Sequence, residues 1–350
     1  MSDKTGIEWT DATWNPLRGC SRVSEGCRHC YAETVAARFS GPGQPYEGLA
    51  DRARSGSKWT GVVRLIEAHL TDPLKWRQPR RIFVNSMSDL FHESVPDEWI
   101  DRIFAVMALA PQHTFQVLTK RPERMREYLT QRHRFWNAFL PFVGPGISTH
   151  DKAEAWCREN GVKRDERERR IGIINDGGGF HYPNESAWPL QNVWLGTSVE
   201  NQQTADARIP LLLQTPAAVR FVSAEPLLGP VNLHKALCRK VRPDVLTPTD
   251  VWGSECEPRG DLHWVIVGGE SGPGARPCDL AWIRSIVQQC KAAGVACFTK
   301  QLGAKVRQCD DGREPLVWSL TDRKGGDPEE WPADLRVREF PDVAALSGAR

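Results

Sequence analysis

Six short apolar runs recur along the chain, and each closes on residues able to do chemistry: RIFVNS (81–86), HTFQVLTK (113–120), NVWLGTSVE (192–200), AVRFVSAEP (218–226), HWVIVGGE (263–270) and VACFTK (295–300). Their apolar residues follow one another with little alternation, which suits strands buried on both faces of a sheet. Between them lie stretches with helical spacing: DEWIDRIFAVMALA (97–110), opened by Pro96 and Asp97, RPERMREYL after Lys120, and LAWIRSIVQQCKAAG (280–294), stopped by Gly294. Strand, polar loop, helix, strand is the pattern of parallel βα units. The expected fold is α/β with six or seven parallel strands. Ligands of such sheets and barrels collect at the carboxyl ends of the strands. The residues there are Asn85, Ser86 and Asp89, Thr119 and Lys120, Ser198 and Glu200, Ser223 and Glu225, Gly269 and Glu270, and Thr299 and Lys300. Polar residues end strands everywhere, but six such ends in register point to a site.

A second feature is GCSRVSEGCRHCYAE (19–33), which places Cys20, Cys27 and Cys30 at C-x6-C-x2-C, with the next cysteine only at Cys157. Leu17-Arg18-Gly19 leads into it, and YAETVAARF leaves it as a helix-like stretch. A closed structural zinc site wants four ligands, and a disulfide framework wants an even number of cysteines. Three thiolates leave a metal centre with one open position. Soft thiolates favour iron–sulfur chemistry, and a [4Fe-4S] cubane held by three of them has one iron free. Zinc completed by a distant His or Cys is the alternative, because His29, between Cys27 and Cys30, is awkwardly placed to serve. Cys157, Cys238, Cys256, Cys278, Cys290, Cys297 and Cys309 are scattered and read as small buried hydrophobes.

Composition sets the surroundings. A chain of 350 residues can bury a full core, and 40% hydrophobic with 26% charged residues is the balance of a globular protein. No run approaches the roughly 18 apolar residues of a membrane span. The polar start MSDKTGIEWTDATWNP lacks an apolar core of the secretory type. The expected compartment is cytoplasmic, where clustered cysteines mean metal or catalysis. A net charge of +2 neither demands nor excludes nucleic acid. Two segments break the βα rhythm and read as insertions, 131–190 and 234–261. In the first, KRDERERR mixes signs as a solvated helix face does, and GGG at 177–179 lacks the Lys-Ser/Thr of a P-loop. Residues 301–350 read as a C-terminal strap over a single domain spanning 1–350.

Three cysteines on the loop after a first strand resemble the radical S-adenosylmethionine (SAM) superfamily, whose loop has C-x3-C-x2-C with an aromatic residue before the third cysteine. Here the first gap is six, and His29 takes the aromatic position. A closer resemblance is to a family of phage and prophage proteins defined by a three-Cys motif. It is carried by IEWTDATWNP (7–16), GCSRVSEGCRHCYAE, FVNSMSDLF (83–91), LTKRPERM (118–125), VWLGTSVENQ (193–202), RFVSAEPLLGP (220–230), VIVGGESGPGARP (265–277), FTKQLG (298–303) and KGGDPEEWPADLRVREFP (324–341). Within the superfamily, SMSDLFHESVP and LTKRPERM look most like segments of spore-photoproduct-lyase-like DNA-repair enzymes.

The resemblance implies a partial (β/α)6–7 barrel of the radical SAM type, two insertions included. It implies a [4Fe-4S] cluster on Cys20, Cys27 and Cys30, SAM as second cofactor, and hydrogen abstraction from a nucleic acid or nucleotide. Lys120 would pair with the SAM carboxylate, and Ser86, Ser88 and Asp89 would lie near its methionine or ribose end. Ser198, Glu200 and Asn201 would also face SAM, with Glu225 and Glu270 nearer the substrate. A partner protein encoded beside it is also implied. The competing class is a metal-stabilised binding protein, holding zinc or iron–sulfur and acting with such a partner.

Overall fold

Seven strands form one sheet in the computed structural model, which describes residues 5–53, 56–131, 189–237, 262–272, 274–309 and 316–343. They are β1 (Ala12–Trp14), β2 (Arg81–Val84), β3 (Thr114–Thr119), β4 (Val193–Val199), β5 (Val219–Ala224), β6 (Trp264–Gly268) and β7 (Ala296–Gln301). Their order in the sheet is their order in the chain. The pairs β1–β2, β2–β3, β5–β6 and β6–β7 are parallel. Sequential winding of parallel strands is compatible with a partial TIM-like barrel. All six strands read from the apolar runs are present. The seventh, β1, is three residues long and too short to declare itself by periodicity. Leu17–Arg18 instead pairs antiparallel with Arg64–Leu65, outside the large sheet.

The chain divides into two compact units: Met1–Ser21 with Ala32–Leu195 and Thr215–Ala218, and Arg22–Tyr31 with Gly196–Gln214 and Val219–Arg350. The first holds β1–β3 with helices α1 (Tyr31–Arg38, from Ala32 on), α2 (Asp97–Leu109) and α3 (Pro122–Gln131). Helix α2 starts after Pro96, as expected, and turns Ile100, Ile103, Phe104 and Met107 inward. The buried Asp101 on its inner side accepts a hydrogen bond from Tyr128 Oη of α3 at 2.6 Å, so a carboxylate in the core has its donor. Trp14 is fully buried, its ring 5.7 Å from that of Phe115, and its indole N–H donates to the His69 carbonyl at 2.8 Å.

Strand β2 stops at Asn85, whose φ of +61° lies in the left-handed region that Asn tolerates better than branched residues do. The turn reverses the chain there and lets Asn85 Oδ1 accept from Leu17 N at 3.3 Å.

The second unit holds β5–β7 with α4 (Gln202–Leu213) and α5 (Leu280–Ala293). Asn201 caps α4 in a reciprocal capping box with Thr204. Asp279 caps α5 by accepting from Ala281 N at 2.9 Å, and Gly294 ends it with φ +64°, as the sequence indicates. Residues 337–340 run beside β7: Thr299 N donates to Val337 O at 2.7 Å and Glu339 N to Cys297 O at 2.8 Å. Phe340 then packs against Trp264, tilted, and edge-on against Phe298, centroids 5.2 and 5.4 Å away. The expected insertions at 131–190 and 234–261 lie outside the described residues apart from their ends.

Trp14→Ala removes a fully buried tryptophan from the first unit's core, together with its indole hydrogen bond to the His69 carbonyl. It is expected to lower the unfolding free energy by about 3–5 kcal/mol, read from urea denaturation.

Candidate functional site

The cysteine segment is short and tightly turned. Glu25–Cys27 forms a single 3-10 turn, with Cys27 N bonded to Ser24 O at 3.0 Å, and Cys30 N bonded to Cys27 O at 3.4 Å just before α1 begins. Cys20, Cys27 and Cys30 are partly exposed and form no disulfide among the described residues. Among the described residues, no three His, Cys, Asp or Glu side chains stand grouped to hold a metal ion. Cys20 and Ser21 belong to the first unit, and Arg22–Tyr31 to the second.

In the first unit Asp89 is a buried hub just beyond β2. Its Oδ1 accepts from Thr119 Oγ1 at 2.7 Å and Phe91 N at 3.0 Å, and its Oδ2 from Lys120 N and Arg121 Nη1, both at 3.1 Å. Arg121, itself buried, reaches onward: Nε to Glu93 Oε2 at 2.7 Å, Nη2 to Ser21 Oγ at 2.7 Å and Ser21 O at 3.2 Å, and Nη1 to Cys20 Sγ at 4.0 Å. Burial works against the Arg121 charge, but Asp89, Cys20 and Glu93 more than offset it and push its pKa up. Burial likewise opposes ionisation of Glu93, yet its backbone and Arg121 hold it down at about 2.

The Ser21 hydroxyl is fully satisfied. Ser94 N donates to His92 Nδ1 at 3.1 Å, so His92 carries its proton on Nε2 and gives it to Ser21 Oγ at 2.9 Å. Ser21 then takes two bonds, from His92 and Arg121, and gives one to Glu93 Oε1 at 3.0 Å. Burial, followed by the Arg121 charge, lowers the His92 pKa.

In the second unit Glu200 and Glu270, both buried, hold the rest of the segment. Ser24 Oγ donates to Glu200 Oε1 at 2.7 Å, while Arg208 Nη1 bonds Glu200 Oε2 at 3.1 Å and Ser198 O at 2.7 Å. Gly26 packs so closely here that a Cβ would collide with the Glu200 side chain. Glu270 Oε2 faces His29 Nδ1 at 3.1 Å and accepts from Arg276 N at 2.8 Å and Nε at 2.9 Å, with Oε1 taking Arg276 Nη2. Arg276 Nη1 also donates to Glu25 O at 3.0 Å. Burial opposes the Glu270 charge, but the Arg276 side chain and backbone and His29 hold its pKa at about 2.

The other expected residues divide by role. Ser86 Oγ donates to Asn15 Oδ1 and Ser88 Oγ to Leu17 O, each at 3.1 Å, so both tie β2 to the chain after β1. Asn201 is a helix cap. Ser198 is buried and accepts Arg208 through its carbonyl. Lys120 gives its backbone N–H to Asp89. Glu225 accepts from Ser223 Oγ at 3.1 Å and lies 3.2 Å from Lys300 Nζ, so the ends of β5 and β7 share an ion pair. Gly268 of β6 leaves room for it, since a Cβ there would come within 2.9 Å of Glu225 Oε1.

Sequence reasoning missed Arg121, Arg208 and Arg276, the cations opposite Asp89, Glu200 and Glu270. Arginines are frequent on surfaces, and nothing in a linear pattern marks one as buried. Of the scattered cysteines, Cys278, Cys290 and Cys297 are buried as expected, whereas Cys309 is exposed. By residue type the donor set in 20–30, three cysteines with a guanidinium beside one sulfur, is that of a thiophilic centre.

A family model described as a protein of unknown function (DUF5131) matches residues 4–326. No curated protein and no solved structure matches the chain.

The Glu270 cluster has a pH signature. A carboxylate held at about 2 in the folded chain, against an ordinary 4.5, contributes stability that is complete above pH 4.5 and fades as pH falls toward 2. Glu270→Gln is expected to lower stability at pH 7 and to flatten that part of the acid limb, measured by urea unfolding at a series of pH values.

Proposed function

We propose, for a chain that belongs to the DUF5131 family, that it is an iron–sulfur enzyme of the radical SAM kind. Cys20, Cys27 and Cys30 would hold a [4Fe-4S] cluster. The carrying observation is that the segment bearing the three cysteines is bonded by buried carboxylates from strand ends: in the first unit by Asp89 through Arg121 at Cys20–Ser21, and in the second by Glu200 and Glu270 at Ser24–His29. Such anchoring has a use if the thiolates must meet one centre, since ligand geometry held by surrounding hydrogen bonds is what tunes a metal site. The bound cluster and SAM would supply one-electron cleavage of a sulfonium bond, and with it hydrogen abstraction.

The roles of the chain's own residues follow from where their bonds are already committed. Asp89, Glu200 and Glu270 are proposed to orient the thiolates, where the resemblance implied SAM contacts for Asp89 and Glu200 and a place nearer the substrate for Glu270. Lys120 is the cation proposed for the SAM carboxylate. Glu225 and Lys300, an ion pair between the ends of β5 and β7, are proposed to face the substrate, with a nucleotide or nucleic acid as the class favoured by the repair-enzyme likeness.

Anaerobic reconstitution with iron and sulfide tests this. The wild type is expected to take up about four irons per chain with broad absorbance near ~400 nm, and to release 5′-deoxyadenosine from SAM after reduction. Cys20→Ala, Cys27→Ala and Cys30→Ala should each lose most of the iron and all of that product while unfolding like the wild type. Tight zinc with no 5′-deoxyadenosine would replace the enzyme reading with that of a metal-stabilised binding protein.

A further inference from the structure

The Asp89–Arg121 pair serves a segment that the sequence alone would not connect to it. Arg121 follows β3, and Cys20 precedes it by 101 positions. All three guanidinium nitrogens are committed: Nε to Glu93, Nη2 to Ser21 twice over, and Nη1 to both Asp89 and Cys20 Sγ. Asp89 fixes the cation from behind with a carboxylate that Thr119, Lys120 N and Phe91 N also hold. The fork therefore has one orientation, and it presents an N–H to the Cys20 sulfur while clamping the next residue by both its hydroxyl and its carbonyl. A lysine, with a point charge on a flexible stem, could not make these contacts together.

We infer that Arg121 is a positioning residue for Cys20, one that fixes the start of the cysteine segment and tunes, through its N–H to the sulfur, the reduction potential of the centre Cys20 holds. The second half of this rests on the cluster proposed above; the first half does not. Hydrogen bonds and positive charge at a ligating sulfur stabilise the reduced state. Removing them makes the potential more negative. Holding Ser21 in place also keeps the neighbouring exposed Arg22 from entering a protease cleft, which requires local opening of the chain.

Two readouts on Arg121→Gln, Arg121→Lys and Glu93→Gln test this. The first is the rate of tryptic cleavage after Arg22 in metal-free protein. The second is the midpoint potential of the reconstituted centre. Arg121→Gln is expected to be cut about tenfold or more faster at Arg22, the size set by charged hydrogen bonds, and to have a more negative potential. Arg121→Lys should recover part of the potential but little of the protection. Glu93→Gln, at a largely exposed position, keeps the test open if the arginine variants fail to fold, and should speed cleavage by a smaller factor.

Wild-type cleavage in every variant that folds overturns the positioning role. Faster cleavage at an unchanged midpoint potential overturns the tuning role. If the wild type takes up no iron, the proposed function falls, and cleavage alone decides whether Arg121 positions Cys20.

Discussion

An ionised carboxylate taken out of water is tolerated only when a cation and a set of hydrogen bonds replace its hydration shell. Asp89, Glu200 and Glu270 are all buried, and all sit just past the ends of sheet strands. Each is paired with an arginine: Asp89 with Arg121, Glu200 with Arg208 and Glu270 with Arg276. A guanidinium carries more donors than a single carboxylate accepts. In two of the three cases the surplus goes to the cysteine segment, from Arg121 to Ser21 and Cys20 and from Arg276 to Glu25. In the third, the carboxylate itself takes Ser24. The pairs that neutralise buried charge thus also bond the chain beside the cysteines, at Cys20–Ser21 in the first unit and at Ser24–Glu25 in the second.

This has a consequence for how the strand ends are used. A residue whose oxygens already accept several internal bonds is poorly suited to release them for a ligand, because exchanging them leaves its arginine uncompensated. Asp89 and Glu270 are in that condition, whereas Glu225 and Lys300 form a simpler pair. The strand ends therefore separate into carboxylates with several internal bonds and the simpler Glu225–Lys300 pair. The close glycines serve the same geometry. Gly26 admits the Glu200 carboxylate, and Gly268 admits Glu225.

Much of the fold was legible because it depends on local signals. Apolar runs of near-continuous character mark the six longer strands. Pro96 and Asp97 mark the start of α2, and Gly294 the end of α5. The three-residue β1 left no such trace, since its place in the sheet comes from pairing with β2, a contact about 70 positions away in the chain. Of the candidate site, the residue types and their places at the strand ends could be read from the sequence, and their hydrogen-bond partners could not. Asp89, Glu200 and Glu270 stood out as acids at strand ends; Arg121, Arg208 and Arg276 did not stand out at all.

The sequence by itself determined which segments become strands and helices, that polar side chains gather at the strand ends, and that three thiols lie within eleven residues. These follow from periodicity, capping chemistry and spacing, all of which are properties of neighbours in the chain. Only the tertiary structure decided which cation meets which carboxylate, and that those pairs hold the cysteine segment in place. Pairing of buried charges is set by through-space distance and exclusion of water, and neither is encoded in the order of residues along the chain.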